Sequence, residues 1–294
     1  MHLYPLTYTN DYRGMIVMTQ ALPLLLEAEQ FATVLASHPM SGSLLILDTS
    51  SNENYLKHHL PGAIHIEPKA LQCGTPPVPG KLPSQQQLTD MFSEAGLTAD
   101  QQVVVYDDEG GGWAGRLLWT LDVLGHHNTA YLNGGIHAWL NEGYPVESGG
   151  GQTSPSDFVA TIDNGPIAEA EQIIPLLGTD NFGIWDARSN AEYDGSKVFA
   201  KRGGHIPGAV NIDWLELIDR DNSTRLVDLE GLQQRLNSLG LTKDKHIITH
   251  CQTHHRSGLT YLAMKILGYS HIKAYHGSWS EWGNREDTPI EKSF

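Results

Sequence analysis

Two tandem α/β domains, each a mostly parallel sheet flanked by helices, are expected of this 294-residue chain on three grounds. Its length accommodates two domains at roughly 150 residues each. A series of motifs returns at a spacing near 144 residues, as in a duplicated unit. Within each copy, short β-branched or aliphatic runs alternate with longer stretches of helical periodicity, the pattern of a sheet covered by helices.

The repeat can be followed motif by motif. Leu45-Ile46-Leu47-Asp48 and Leu60-Pro61-Gly62-Ala63-Ile64 return as Gly183-Ile184-Trp185-Asp186 and Ile206-Pro207-Gly208-Ala209-Val210. The offset grows there from 138 to 146, so the second copy carries an eight-residue insertion between its Asp strand and its Pro-Gly turn. Ala95-Gly96-Leu97-Thr98 and Val103 to Asp107 match Leu239-Gly240-Leu241-Thr242 and Ile247 to Cys251 at 144, which puts Asp107 where Cys251 stands. Leu132-Asn133-Gly134-Gly135 with Trp139 recurs as Tyr275-His276-Gly277-Ser278 with Trp282 at 143. Residues 147–157, rich in Gly and Ser, cost backbone entropy to order and have little to bury, so they read as a linker between domains at 20–146 and 158–294.

Strands are expected at Leu44 to Leu47, Val103 to Tyr106 and Thr129 to Leu132, then at Phe182 to Trp185, His246 to Thr249 and His271 to Tyr275. Helices are expected at Leu24 to Ala36, Ser84 to Ala95, Trp113 to Leu124, Ile167 to Leu177, Leu229 to Leu239 and Ser257 to Leu267. In the last of these Leu259, Leu262, Ala263, Ile266 and Leu267 form one apolar stripe, which marks core rather than function.

Composition narrows the function classes. The formal charge of −15 opposes nucleic acid and anionic membrane surfaces as partners. Two cysteines, Cys73 and Cys251, make no disulfide scaffold and fit a reducing compartment, so the cytoplasm is expected. The early apolar run Ala21 to Leu26 contains Pro23 and is far too short to span a membrane, and Asp11 and Arg13 before it do not form a secretory leader. The first seventeen residues read as an upstream extension.

Chemistry is expected where a strand tip meets a helix, because loops converge there and free N–H groups point outward. His250-Cys251-Gln252-Thr253-His254-His255-Arg256-Ser257 is such a junction. If residues 252–257 curl around Cys251, their amides form an anion-binding nest that favours thiolate. Arg256 would strengthen that field and could grip an anionic substrate. The reading requires a thiol open to solvent and amides with a common focus. Cys73, in a loop-like stretch without a nearby cation, is a bystander. His250 serves packing or tuning, and His254 and His255 are surface or supporting groups. Neighbouring histidines on so tight a turn do not converge on one ion, so no metal is expected.

These motifs together resemble the tandem-domain rhodaneses, the thiosulfate and 3-mercaptopyruvate sulfurtransferases. The likeness covers roughly residues 20–290 and rests on Asp186-Ala187-Arg188, Gly204-His205-Ile206-Pro207-Gly208-Ala209, the cysteine loop, and Tyr275 to Trp282. It implies a rhodanese-like fold in each domain, a catalytic second domain with Cys251 as nucleophile, and a non-catalytic first domain with Asp107 in place of cysteine. It implies a sulfane sulfur moved from thiosulfate through a Cys251 persulfide to cyanide or a thiol, without a cofactor, with thioredoxin or another sulfur-acceptor protein as a compatible partner. His254 stands where relatives usually have a loop glycine.

Mercaptopyruvate enzymes place a carboxylate-binding arginine four residues after the one matched by Arg188, where this chain has Glu192. The exchange favours thiosulfate over a carboxylate-bearing donor. Arg188 either meets substrate or pairs with Glu192 or a neighbouring acid. Lys197, Lys201 and Arg202 in the insertion either add potential at the entrance or are a solvated run, and Trp113 either walls the cleft or packs in the core. Three other readings compete: a 3-mercaptopyruvate sulfurtransferase, a persulfide carrier that acts only when docked, and a cysteine-dependent phosphatase. The last has five residues between cysteine and arginine, against four here.

Overall fold

The computed structural model describes residues 8–10, 16–18, 22–37 and 42–292. The expected upstream extension, the start at residue 20 and the beginning of the Ala21 run fall largely outside them. A short antiparallel pair, β1 (Tyr8–Asn10) and β2 (Ile16–Met18), comes first. The first copy then runs β3 (Leu25–Leu26), α1 (Ala28–Ser37), β4 (Leu44–Asp48), α2 (Asn52–Lys57), β5 (Ile64–His65), α3 (Gln85–Glu94), β6 (Gln102–Tyr106), α4 (Gly112–Val123), β7 (Thr129–Leu132) and α5 (Gly135–Asn141). The second runs β8 (Ile167–Ala168), α6 (Ala170–Ile173), β9 (Phe182–Asp186), α7 (Asn190–Tyr193), β10 (Val210–Asn211), a small hairpin of β11 (Ile218–Asp219) and β12 (Arg225–Leu226), α8 (Leu229–Ser238), β13 (His246–His250), α9 (Arg256–Ile266), β14 (Ile272–Tyr275) and α10 (Ser278–Trp282).

Both copies form a parallel five-stranded sheet of one topology, β3-β7-β6-β4-β5 in the first and β8-β14-β13-β9-β10 in the second. The duplication reaches single contacts. Thr49 N–H donates to Tyr106 O as Ala187 N–H does to His250 O, and Ile136 N–H to Asp107 O as Trp279 N–H does to Cys251 O. Tyr55 stacks on His59 as Tyr193 does on His205.

All six expected strands form. Two expected helices need correction, because Leu25–Leu26 and Ile167–Ala168 are edge strands paired to β7 and β14. Two-residue strands carry no periodicity of their own, and a distant partner makes them. The rest of the second expected helix breaks into α6 and a 3-10 turn at Ile174–Leu176, where Pro175 supplies no N–H. Elsewhere local chemistry sets the ends: Ser84 and Gln87 form a capping box on α3, and Asp228 accepts from Glu230 and Gly231 N–H at the start of α8. Residues 147–157 lie along the first copy, with Gly151 N–H on Tyr55 Oη and Ser156 Oγ on Leu97 O.

The copies are joined by a shared apolar core. α4 and α9 cross with Gly115 against Gly258, so closely that a Cβ on Gly115 would lie 2.4 Å from the Gly258 backbone. Leu117, Leu118 and Leu121 of α4 and Leu259, Leu262 and Ala263 of α9 belong to one buried cluster spanning both sheets. That packing brings the Asp107 loop and the Cys251 loop together. No helix among the described residues is long and apolar enough to cross a membrane.

Candidate active site

Cys251 follows the last residue of β13 and precedes α9 by four residues. α9 has no side-chain cap, so its first N–H groups are free to turn on the cysteine. Burial pushes the Cys251 thiol up, but Arg256, the Ser257 hydroxyl and the amides of Ser257 and Thr253 outweigh it and hold the thiol below its ordinary value. Of the loop amides, those of Ser257 and Thr253 act on the sulfur. The expectation of an open thiol is corrected, because Cys251 has no exposed surface whereas Cys73 is exposed. Gln252, Thr253, His255 and Arg256 stay partly accessible, so solvent reaches the rim of the loop and stops there.

The first copy helps to close that rim. Gln72 Nε2 donates to Thr253 O at 2.7 Å, and a Cβ on Gly80 would sit 2.5 Å from the same oxygen. His255 bonds Glu109 through Nε2 and stacks on Trp113 with ring centroids 4.2 Å apart. Trp113 thus both walls the loop and packs against the shared core. A groove of about 550 Å³ over Gln252 and Thr253 is lined by Pro76, Pro77, Phe199 and Lys201 among others.

The histidines point three ways. His250 is buried, with Nδ1 3.2 Å from Cys251 O and Nε2 3.6 Å from Asp186, and burial lowers its pKa. His254 adopts φ +55°, the left-handed step expected of a glycine, and its Nδ1 meets Ser257 Oγ at 2.8 Å. Burial and then Arg116 hold it well below the usual imidazole value, so it is neutral. It is a buried support, the second of the two roles expected of it. His255 is the one on the rim.

Arg256 departs from expectation. Its Nη1 and Nη2 grip Glu192 at 2.7 and 2.8 Å, and Glu192 is almost fully buried. Burial opposes the charge on Glu192, yet Arg256 keeps it below the usual carboxylate range. The fork expected for substrate is thus engaged. Glu192 is a neutralised partner rather than a free anion in the pocket, so it disfavours a carboxylate-bearing donor by the missing cation and not by repulsion. Arg188 pairs with Asp186 rather than with Glu192, through Nη2 to Oδ2 at 2.5 Å, and it lies 4.3 Å over the Trp279 ring. Of the insertion cations, Arg202 donates to Trp282 O and Thr288 O, Lys197 lies over Phe199 at 4.9 Å, and Lys201 lines the groove.

Sequence reasoning missed Gln72, Glu109 and Gly80 as parts of this site. They sit more than a hundred residues away from their partners, and no local pattern marks them. Asp186 had a signal, its recurrence at the position of Asp48.

The cysteine loop of the second copy, covered by residues of the first, is fitted to carry a sulfur. The model of the rhodanese-like domain matches residues 31–142 and again 169–285. The chain is 46% identical over 272 residues to the thiosulfate sulfurtransferase of Azotobacter vinelandii, covering 92% of this chain and 98% of that one. It is 44% identical over 270 residues to the thiosulfate sulfurtransferase of Pseudomonas aeruginosa, covering 92% and 97%. Among solved structures, that of YnjE superposes with a TM-score of 0.83 at 18% identity, covering 92% of this chain and 68% of that one, a likeness of fold. The chain belongs to the rhodanese family, as a tandem-domain sulfurtransferase.

Proposed function

We propose that this chain moves a sulfane sulfur from thiosulfate to cyanide or a thiol through a persulfide on Cys251. What supports it most is the place of Cys251, buried at the tip of β13 in the loop before α9, where Arg256, the Ser257 hydroxyl and the Ser257 and Thr253 amides hold its thiol below its ordinary value. The thiolate attacks the outer sulfur of thiosulfate, the S–S bond breaks, and sulfite leaves with the electron pair. Cyanide or a thiolate then takes the outer sulfur and returns Cys251 to thiolate. The loop donors hold the charge in both states without a dedicated base.

Thiosulfate is favoured over mercaptopyruvate because Glu192 occupies Arg256 and supplies no cation for a carboxylate. The four-residue spacing speaks against a phosphatase. Cys251 is sealed, so the requirement of an open thiol is unmet in the loop as it stands, and the rim over Gln252 and Thr253 must part before any donor reaches the sulfur. This favours a second reading, in which docking of a thiol protein such as thioredoxin opens it. We assign the non-catalytic domain to 20–146, the linker to 147–157, the catalytic domain to 158–294, and the site of action to the cytoplasm.

Mass spectrometry of Cys251 after thiosulfate tests this: a gain of about 32 Da, reversed by cyanide, is expected for a persulfide. Cys251→Ser should lose the adduct and lower thiocyanate formation by about a thousandfold or more. An unmodified Cys251 in active protein would overturn the reading.

A further inference from the structure

The helix that follows the Asp107 loop carries a cation with no anion beside it. Arg116 on α4 has no exposed surface. Its Nη2 donates to Leu71 O at 2.7 Å, its Nη1 to His254 O at 3.4 Å, and its Nε is buried without a partner. The guanidinium lies 4.6 Å over the Trp119 ring. No carboxylate pairs with it among the described residues. Burial pushes it down to about 9, and the charges that oppose this are those of Cys251 and then Cys73. A guanidinium keeps its proton at neutral pH, so this is a buried charge in want of a counter-charge.

The other buried charged groups around the sulfur are already matched, and Lys201, on the groove over the loop, is exposed to solvent. Arg256 is paired with Glu192, and Arg188 with Asp186. His250 and His254 are held toward the neutral form by burial. On the first-copy side His255 meets Glu109, and His276 meets Glu169. A thiolate on Cys251 adds one negative charge to this balanced set.

We propose that Arg116, contributed by the non-catalytic domain, is the positioning residue whose uncompensated charge balances the Cys251 sulfur as thiolate and as persulfide, while its bond to His254 O holds the loop. This rests on Cys251 being the sulfur carrier. The degenerate copy is then part of the sulfur site, and its loop needs no cysteine to contribute.

Alkylation of Cys251 by iodoacetamide against pH tests the assignment, in a Cys73→Ser background that leaves one thiol. Arg116→Gln should raise the midpoint by about one pH unit, a tenfold loss of thiolate below it, with thiocyanate turnover falling in parallel. Arg116→Lys, which keeps the charge, should restore most of the midpoint. An unmoved midpoint in the Gln variant, or an equal rise in both, overturns the proposal.

Should the Gln variant fail to fold, the stability of Cys251→Ser decides. Above the thiolate midpoint it should unfold at lower urea than the parent, having stranded Arg116, and equal or greater stability overturns the assignment. Persulfide formation in the parent is scored separately by mass, so failure of the carrier reading is distinguishable from failure of this one.

Discussion

The two loops at the strand tips are the same length and hold different acidic side chains. In the first copy the Asp107 carboxylate fills its own nest, accepting from the N–H groups of Glu109, Gly110, Gly111 and Ala114 at 2.9 to 3.2 Å. In the second, Thr253 and Ser257 amides turn on the Cys251 sulfur instead. Gly110 and Gly111 both take positive φ, whereas His254 alone does so in the other loop. Neighbouring elements diverge in step. Asp48, facing Ser50, is pushed up by burial, while Asp186 stays low because His250 and Arg188 outweigh the same burial. Asn54 on α2 reaches Asp108, and Glu192 on α7 reaches Arg256. Duplication thus kept the amide trap and changed its occupant, from a carboxyl group that stays to a cysteine sulfur that can be loaded and emptied.

If Asp107 is a permanent occupant, its loss should be felt in stability and little in chemistry. Asp107→Ala strands buried N–H groups and should cost about 2–4 kcal/mol, read as a lower urea midpoint, with sulfur transfer retained in the folded protein. Activity lost without a stability change would break the comparison. The second loop is sharpened by Glu192→Gln, which frees the Arg256 fork for a donor anion. We expect the kcat/KM ratio of mercaptopyruvate to thiosulfate to rise about tenfold, and an unchanged ratio would remove Glu192 from donor choice.

The smallest effect concerns pH. Burial, then Glu109, pushes the Asp107 carboxyl up to about 7 against its bonding amides. A carboxyl raised in the folded state contributes stability that is full below its unfolded pKa near 4 and is lost as pH rises through 7. The difference in unfolding free energy between the parent and Asp107→Asn should therefore shrink between pH 4 and 7. A flat difference would mean that Asp107 is ionised throughout.

The strand–loop–helix units at 102–123 and 246–266 were legible because their signals are local: apolar runs ending in polar tips, then helical stripes. So was the duplication, which needs only matching of the chain with itself. The edge strands at Leu25–Leu26 and Ile167–Ala168 were not, since sheet partners a hundred residues away make them. Glu192 was legible as an anomaly, but its pairing with Arg256 was not, because Arg188 was the nearer basic residue.

The sequence by itself determined the repeat, the position of Cys251 at a strand tip and the four-residue loop that can focus amides on it. Each depends on spacing along one segment. Tertiary structure alone decided that the thiol is sealed, that Arg256 is committed to Glu192, and that Arg116 from the other copy faces the loop. Burial and charge balance are properties of what surrounds a group, and here the surroundings come from both halves of the chain.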